Sequence, residues 1–127
     1  MLRIIPVQTK SDQKTLMEAC GIPYRAECLA YAAYEESVLI GGAQFYFEGG
    51  ACHITDIRCP DGIDDEEALF IMGRGLLNFV DMSGIHDAYI DEPERQNKHL
   101  IARIGFWKND EGLEYMNLRG FFTDHKH

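Results

Sequence analysis

Hydrophobic residues follow two spacings along this chain, and these spacings divide it into strands and helices. Short runs of β-branched, aromatic and aliphatic residues, bounded by glycine or proline, predict strands. The strands are expected at 2–7, 28–35, 38–47, 52–59, 86–91, 106–108 and 113–122. Apolar residues that recur every three or four positions predict helices, and these are expected at 12–20, 64–83 and 94–103. The predicted order is therefore β-α-β-β-β-α-β-α-β-β.

Segment 28–35 has a mixed signal, because its alanines favour helix whereas its tyrosines favour strand. We interpret it as a strand because a hairpin partner, 38–47, follows it directly. The middle of the chain, from Cys52 to Ile90, is a strand-helix-strand unit, which places its two strands in parallel through a right-handed crossover. The predicted fold class is α+β, with a mixed, mostly antiparallel central sheet that contains one parallel strand pair.

The 127 residues contain no Pro- or Ser-rich linker and no internal repeat, which predicts a single domain over 1–127. The longest predicted helix, 64–83, can begin at Asp64 or Asp65. Asp64, with Glu67 three positions later, resembles a capping box that would close the first turn of this helix. This arrangement explains the acidic residues of the segment without a ligand.

The net charge of -9 is concentrated in two segments. Residues 56–67 contain six acids and one arginine, and residues 87–94 contain four acids and no base, so these segments together carry the whole net charge. Nucleic acids and anionic membranes bind through clustered cations, and the sequence therefore excludes both as expected partners.

The longest apolar runs are too short to span a bilayer, and no apolar leader segment opens the chain, so we expect a cytoplasmic protein. The four cysteines include no CxxC pair, which predicts reduced, structural thiols and no metal site. Adjacent Cys52 and His53 would face opposite sides of a strand, which argues against a Cys-His nucleophile built from these two.

Several joints between the predicted elements resemble those of the GNAT superfamily of acyl-CoA-dependent N-acetyltransferases. An apolar run and a glycine open the third strand, a proline ends the fourth strand, and the penultimate helix ends in Gly-Phe. The corresponding segments are Val38-Leu39-Ile40-Gly41, Arg58-Cys59-Pro60 and His99 to Phe106, together with Arg3, Pro6 and Asp12 near the start and Leu76-Leu77-Asn78-Phe79 in the long helix. The resemblance implies a GNAT-like fold with α/β/α layers.

The resemblance also implies a site for acetyl-CoA. In that family the pantetheine arm of acetyl-CoA lies along one of two parallel strands that part, and its pyrophosphate sits at the start of the long helix. Carried onto this chain, the cofactor-binding residues are Ile57, Arg58, Cys59, Glu66, Glu67, Ala68 and Asn97. The basic, glycine-rich loop of the family is replaced here by four consecutive acids, Asp64 to Glu67.

A second placement of that loop is conceivable, because Met72-Gly73-Arg74-Gly75-Leu76-Leu77 resembles the family's Arg-Gly-x-Gly motif. It would leave a helix too short to cross back over the sheet. We therefore interpret Gly73 and Gly75 as glycines inside the helix that allow close packing on the sheet.

The resemblance implies an N-acyltransferase that acetylates a small, cationic amine, with Asp56 as the catalytic base and a backbone N–H near Arg58-Cys59 polarising the acetyl carbonyl. Ile101 occupies the position of the tyrosine acid of the family, and Tyr31, Tyr34, Tyr89 and Tyr115 are alternatives. The other reading is an inactive GNAT-like binding or regulatory module that does not use acetyl-CoA. Exposed edges near 113–122 favour a homodimer.

Overall fold

The computed structural model describes residues 1–122, which are built around a seven-stranded mixed sheet. The strands are β1 (Leu2–Pro6), β2 (Leu29–Glu35), β3 (Val38–Glu48), β4 (Ala51–Arg58), β5 (Asp87–Ile90), β6 (Trp107–Lys108) and β7 (Glu114–Asn117). The helices are α1 (Lys10–Cys20), α2 (Glu66–Met82) and α3 (Lys98–Ile104). In space the strand order is β1-β2-β3-β4-β5-β7-β6, and β4 with β5 is the parallel pair. The predicted fold class is confirmed.

Helices cover both faces of the sheet. On one face, α2 and α3 contribute fully buried side chains to the larger core, among them Leu76, Leu77, Val80, Leu100 and Ile104. On the other face, α1 packs Leu16 and Met17 against Ala30 and Ala32 of β2. This is the α/β/α layering that the resemblance implies. Within residues 1–122, no helix is long and apolar enough to cross a membrane.

The third helix begins later than the prediction of residue 94. Pro93–Arg95 forms a separate 3-10 turn, and α3 begins at Lys98. Asn97 caps α3, because its side-chain oxygen accepts a hydrogen bond of 3.1 Å from the backbone N–H of Leu100. The prediction merged two short elements because the sequence pattern does not mark the break between them.

The last strand is shorter than the predicted 113–122, because β7 ends at Asn117. The Asn117 side chain accepts a 3.0 Å hydrogen bond from the backbone N–H of Arg119, and Gly120 adopts a positive φ of 73°. The chain therefore turns at the residues where the prediction continued the strand.

The close approach of α2 to the core depends on Gly73. A Cβ atom at this position would lie 2.6 Å from Ile104 Cδ1 and 3.4 Å from Ile57 Cδ1. A Cβ atom at Gly75 would lie 3.8 Å from Ile4 Cγ2, which is an ordinary contact. The packing role is confirmed for Gly73 and wrong for Gly75, and both glycines lie inside α2 rather than in a loop.

Candidate functional site

The parallel strands β4 and β5 part near the centre of the sheet. Their pairing ends where Ile54 meets Ile90, with one further hydrogen bond of 2.9 Å from the backbone N–H of Asp91 to the carbonyl of Ile54. Beyond this point β4 continues to Arg58. The segment that follows β5 turns away from it through Glu92, whose φ is 47°. The second half of β4 is therefore paired with β3 on one side and open on the other.

A β-bulge at Thr55 changes the direction of β4 at this opening. Gln44 of β3 pairs with Asp56, and Phe45 pairs with Ile54, so Thr55 is the extra residue. The Thr55 hydroxyl donates to the Gln44 carbonyl at 3.2 Å and accepts from the Gln44 side-chain amide at 3.1 Å. These hydrogen bonds satisfy the buried polar groups that the bulge creates and hold the strand in its bent form.

A cavity of 320 Å³ lies along the open half of β4, on the side of α2, and we call it the α2-side cavity. Four of the seven predicted cofactor-binding residues line it, namely Ile57, Arg58, Cys59 and Asn97. Gln96 also lines it and carries a buried side-chain oxygen with no hydrogen-bond partner in residues 1–122. An open strand edge and an unpartnered acceptor suit an amide-containing ligand such as the pantetheine arm.

The other three predicted cofactor residues, Glu66, Glu67 and Ala68, form the first turn of α2 and are not part of the cavity wall. The cap is Asp65, whose carboxylate accepts a 3.0 Å hydrogen bond from the Ala68 N–H. The capping box predicted from Asp64 and Glu67 is therefore wrong, since the helix begins one residue later.

The acids of this first turn are paired with α3. Glu66 lies 2.7 Å from His99 Nδ1, and Glu67 accepts a hydrogen bond from Arg103. The Ala68 N–H, which a diphosphate at this helix start would use, is already bonded to the negatively charged Asp65 carboxylate. The start of α2 therefore fits a diphosphate poorly, whereas the α2-side cavity fits the pantetheine arm.

Asp56, the predicted base, lies at the bulge with its side chain only 3% exposed. Its carboxylate accepts hydrogen bonds from Arg95 at 2.8 Å and from Gln96 at 3.3 Å, and Arg58 Nε lies 3.5 Å away. A substrate ammonium would have to displace one of these partners to reach it. The catalytic role of Asp56 stays a prediction, and its partners give it a structural role between β4 and the 3-10 turn.

Two further cavities lie around the opening. The central cavity, of 420 Å³, is lined by Pro23, Arg25, Thr55, Asp56, Asp91, Glu92 and Arg95. The aromatic cavity, of 360 Å³, is lined by His53, Tyr89, Ile90, Asp91, Glu92, Pro93 and Leu113. Asp91 and Glu92 line both of these cavities, and Arg95 lines the central and α2-side cavities. The three spaces therefore follow one another around the point where β4 and β5 part.

Burial and hydrogen bonds raise the pKa of two tyrosines and two thiols near the site. The Tyr46 hydroxyl donates to Asp91 at 2.7 Å, and burial followed by this hydrogen bond raises the pKa of Tyr46 to about 12. A 2.6 Å hydrogen bond to Asp87, with burial, raises the pKa of Tyr115 to about 12. Burial raises the pKa of the Cys59 thiol, and it raises that of Cys52 to about 12.

Sequence reasoning missed His53, Asp91, Arg95 and Gln96 as residues of the site. His53 was considered only with its neighbour Cys52, and the structure does turn Cys52 into the core while His53 lines the aromatic cavity. The sequence did contain a signal for His53. It lies on one strand of the predicted parallel pair, and the acidic segment 87–94 includes the other strand, so a histidine and carboxylates could be expected close together. All cysteines are free, and within residues 1–122 no group of three ligand side chains could hold a metal ion.

The fold is that of solved GNAT-family acetyltransferases, as comparison with solved structures shows. An IAA acetyltransferase from Bacillus cereus has a TM-score of 0.69 and 13% identity, over 87% of this chain and 79% of its own. The PaiA N-acetyltransferase from Thermoplasma acidophilum, in complex with coenzyme A, has a TM-score of 0.66 and 13% identity, over 91% and 97%. The ribosomal-protein-S18-alanine N-acetyltransferase from Escherichia coli has a TM-score of 0.67 and 9% identity, over 93% and 94%.

No family model matches the sequence, and no curated protein is similar to it in sequence. At these identities the likeness to solved structures establishes a shared GNAT fold, and the chemistry has to be argued from the site itself.

Proposed function

We propose that this protein is an acyl-CoA-dependent N-acyltransferase that transfers an acetyl group to a small cationic amine. The observation that carries the proposal is the opening between β4 and β5, with the α2-side cavity at one end and the aromatic cavity at the other. Two substrates that enter from different sides of a sheet can meet at such an opening, and holding them together supplies much of the catalysis of acyl transfer.

Residues of the α2-side cavity would hold the arm of acetyl-CoA. Ile57 follows the bulge on the open half of β4, and Gln96 supplies an acceptor for an amide N–H. Acetyl-CoA, when bound, supplies a thioester carbonyl that an amine can attack.

The aromatic cavity supports the choice of a cationic amine. Asp91 and Glu92 place two carboxylates in its wall, while Tyr89 and Leu113 add aromatic and aliphatic surface. An ammonium group is attracted by carboxylates and by the faces of aromatic rings, and its hydrocarbon part packs on the apolar wall. An anionic acceptor would be repelled by the same carboxylates.

The alternative function is a GNAT-like binding or regulatory module that does not use acetyl-CoA. The observation that favours it is the first turn of α2, where Asp65 already occupies the Ala68 N–H and the neighbouring acids are paired with α3. A helix start that is capped by its own carboxylate offers less to a diphosphate than a free one.

Calorimetric titration of the purified protein with coenzyme A separates the two functions. We expect binding with a micromolar dissociation constant, and acetyl transfer to alkylamines and diamines measured by release of free thiol. The variant Ile63→Trp fills the α2-side cavity from its rim, and Ile71→Trp places the same side chain on the exposed face of α2 as a matched control. Ile63→Trp should weaken binding about tenfold or more, as expected for a blocked pocket, with Ile71→Trp unchanged.

Two results would count against the enzyme. Absence of coenzyme A binding at millimolar concentration would reject acyl-CoA chemistry and support the binding module. Equal effects of the two tryptophan variants would show that coenzyme A binds somewhere other than the α2-side cavity.

A further inference from the structure

A row of neighbouring aromatic rings crosses the sheet on the face opposite α2. Tyr46 of β3, His53 of β4, Tyr89 of β5 and Tyr115 of β7 are cross-strand neighbours, with ring centroids 5.0, 5.5 and 5.2 Å apart in that order. His53 is the one member of the row with an imidazole. Its ring lies at 12° to that of Tyr46 and at 18° to that of Tyr89, so two aromatic faces fix its plane.

Asp91 lies beside this imidazole. One oxygen of its carboxylate accepts the hydroxyl of Tyr46 at 2.7 Å, and the other lies 3.4 Å from His53 Nδ1. A carboxylate beside Nδ1 favours the tautomer with the proton on that nitrogen, which leaves the lone pair on Nε2. In residues 1–122, Nε2 has no hydrogen-bond partner, and His53 lines the aromatic cavity.

The position of His53 suits proton transfer at the opening of the sheet. His53 pairs with Tyr89 one residue before the last parallel pair, so it lies beside the point where the strands part. Its side chain is 23% exposed, whereas that of Asp56 is 3% exposed and held by Arg95 and Gln96. A ligand in the aromatic cavity can therefore reach His53 without breaking an existing ion pair.

The charges around this cavity are mainly negative. Asp91 and Glu92 both lie in its wall. Two cations adjoin it: Arg95 is paired with Glu92 at 2.7 Å, and Arg25, which is paired with Glu27, covers one face of the Tyr46 ring at 4.9 Å. The Asp91 carboxylate has no arginine or lysine partner within residues 1–122, and it therefore attracts an ammonium group.

We infer that His53 is the catalytic base for the acceptor amine and that Asp91 is its positioning residue. This inference rests on the proposed N-acyltransferase function. The acceptor ammonium gives one proton to His53 Nε2, and the electron pair freed on the nitrogen forms the new C–N bond to the acetyl carbon. The C–S bond breaks and its electron pair leaves with the sulfur, which takes the second proton of the nitrogen and departs as the free thiol, while the proton on His53 passes to solvent.

The test compares His53→Gln with His86→Gln in the acetyl-transfer assay. Glutamine keeps a planar side chain but cannot accept and release a proton at neutral pH. His86 is the matched control, because its Nδ1 also lies against a carboxylate, that of Asp81 at 2.7 Å, but it lines none of the three cavities. We expect His53→Gln to lose about 100-fold or more in kcat/KM, the range for a removed general base, and His86→Gln to retain wild-type activity.

The pH profile and the binding data separate a base from a structural residue. The fall of the wild-type kcat/KM towards low pH should be absent in His53→Gln, while the coenzyme A dissociation constant stays within about twofold, since the α2-side cavity is untouched. Asp91→Asn should reduce kcat/KM by about tenfold and retain the fall at low pH, because the imidazole is still present but less well oriented.

Several results would overturn the inference. If the wild type transfers acetyl groups and His53→Gln does so within about threefold, His53 is not the base and the proposed function stands. If the wild type binds no coenzyme A and transfers to no amine, both proposals fall. Should His53→Gln not fold, the histidine ring resonances of the wild type decide: on titration with an alkylamine, those of His53 should shift and those of His86 should not, and an unmoved His53 rejects the inference.

Discussion

The replacement of Asp65 by asparagine tests whether the acidic helix start weakens the binding of acetyl-CoA. Asp65 caps α2 by accepting the Ala68 N–H at 3.0 Å, and asparagine caps helices about as well as aspartate. Asp65→Asn therefore removes one negative charge and keeps the hydrogen bond. We expect the variant to bind coenzyme A more tightly than the wild type.

The magnitude follows from the geometry of the cap. A phosphate oxygen that shares the Ala68 N–H must approach its nitrogen to about 3 Å, which places it about 4 Å from the Asp65 carboxylate. Two unit charges at this separation repel by about 1 kcal/mol in water and by about 4 kcal/mol at the dielectric of a protein surface. Asp65 is half-buried, so we expect a gain of about 1–2 kcal/mol, or about 5–30-fold in the dissociation constant.

Calorimetry at low and high salt measures this effect. Asp110→Asn is the control, because it makes the same change of charge in the exposed turn between β6 and β7. The difference between the two variants should shrink as salt is raised, since ions screen exposed charges over about 8–10 Å at physiological strength. Equal affinities for Asp65→Asn and Asp110→Asn at low salt would refute the electrostatic reasoning.

Other consequences concern stability and thiol chemistry. Gly75→Ala should raise the free energy of unfolding, measured by urea denaturation, by about 0.5–1 kcal/mol, because alanine favours a helix. Gly73→Ala should lower it by about 1–2 kcal/mol, because the added Cβ atom would press against Ile104. Equal effects of the two variants would contradict the packing argument. Asp56→Ala should lower the free energy of unfolding by about 1–3 kcal/mol, since it removes the buried acceptor of hydrogen bonds from Arg95 and Gln96, and an unchanged urea midpoint would contradict this. Because burial raises the pKa of Cys59, its alkylation by iodoacetamide should be slow at neutral pH, accelerate only at alkaline pH above the range of an ordinary thiol, and be slowed by coenzyme A. A pH-independent rate would count against the raised pKa of this thiol.

Much of the fold could be predicted because its elements depend on local patterns. The order of strands and helices follows from runs of apolar residues and from their spacing, and the parallel pair follows from the length of the connection between Cys52 and Ile90. Boundaries were less accurate where a side chain decides them. Asp65 rather than Asp64 caps α2, and Asn97 begins α3 anew after the 3-10 turn.

The candidate site was predicted in part. Ile57, Arg58, Cys59 and Asn97 do line one cavity, because the resemblance located the open half of β4. The partners of Asp56 could not be predicted, since Arg95 comes from 39 positions further along the chain.

By itself, the sequence determined the kinds of elements, their order and the two acidic segments, because these depend on residues close together in the chain. Only the tertiary structure decided which acids are already paired and which face a cavity. Asp56 and Asp91 look alike in the sequence, yet one is held by Arg95 and the other faces His53. The difference arises because hydrogen bonds and ion pairs join side chains that the sheet and its crossover bring together from distant parts of the chain.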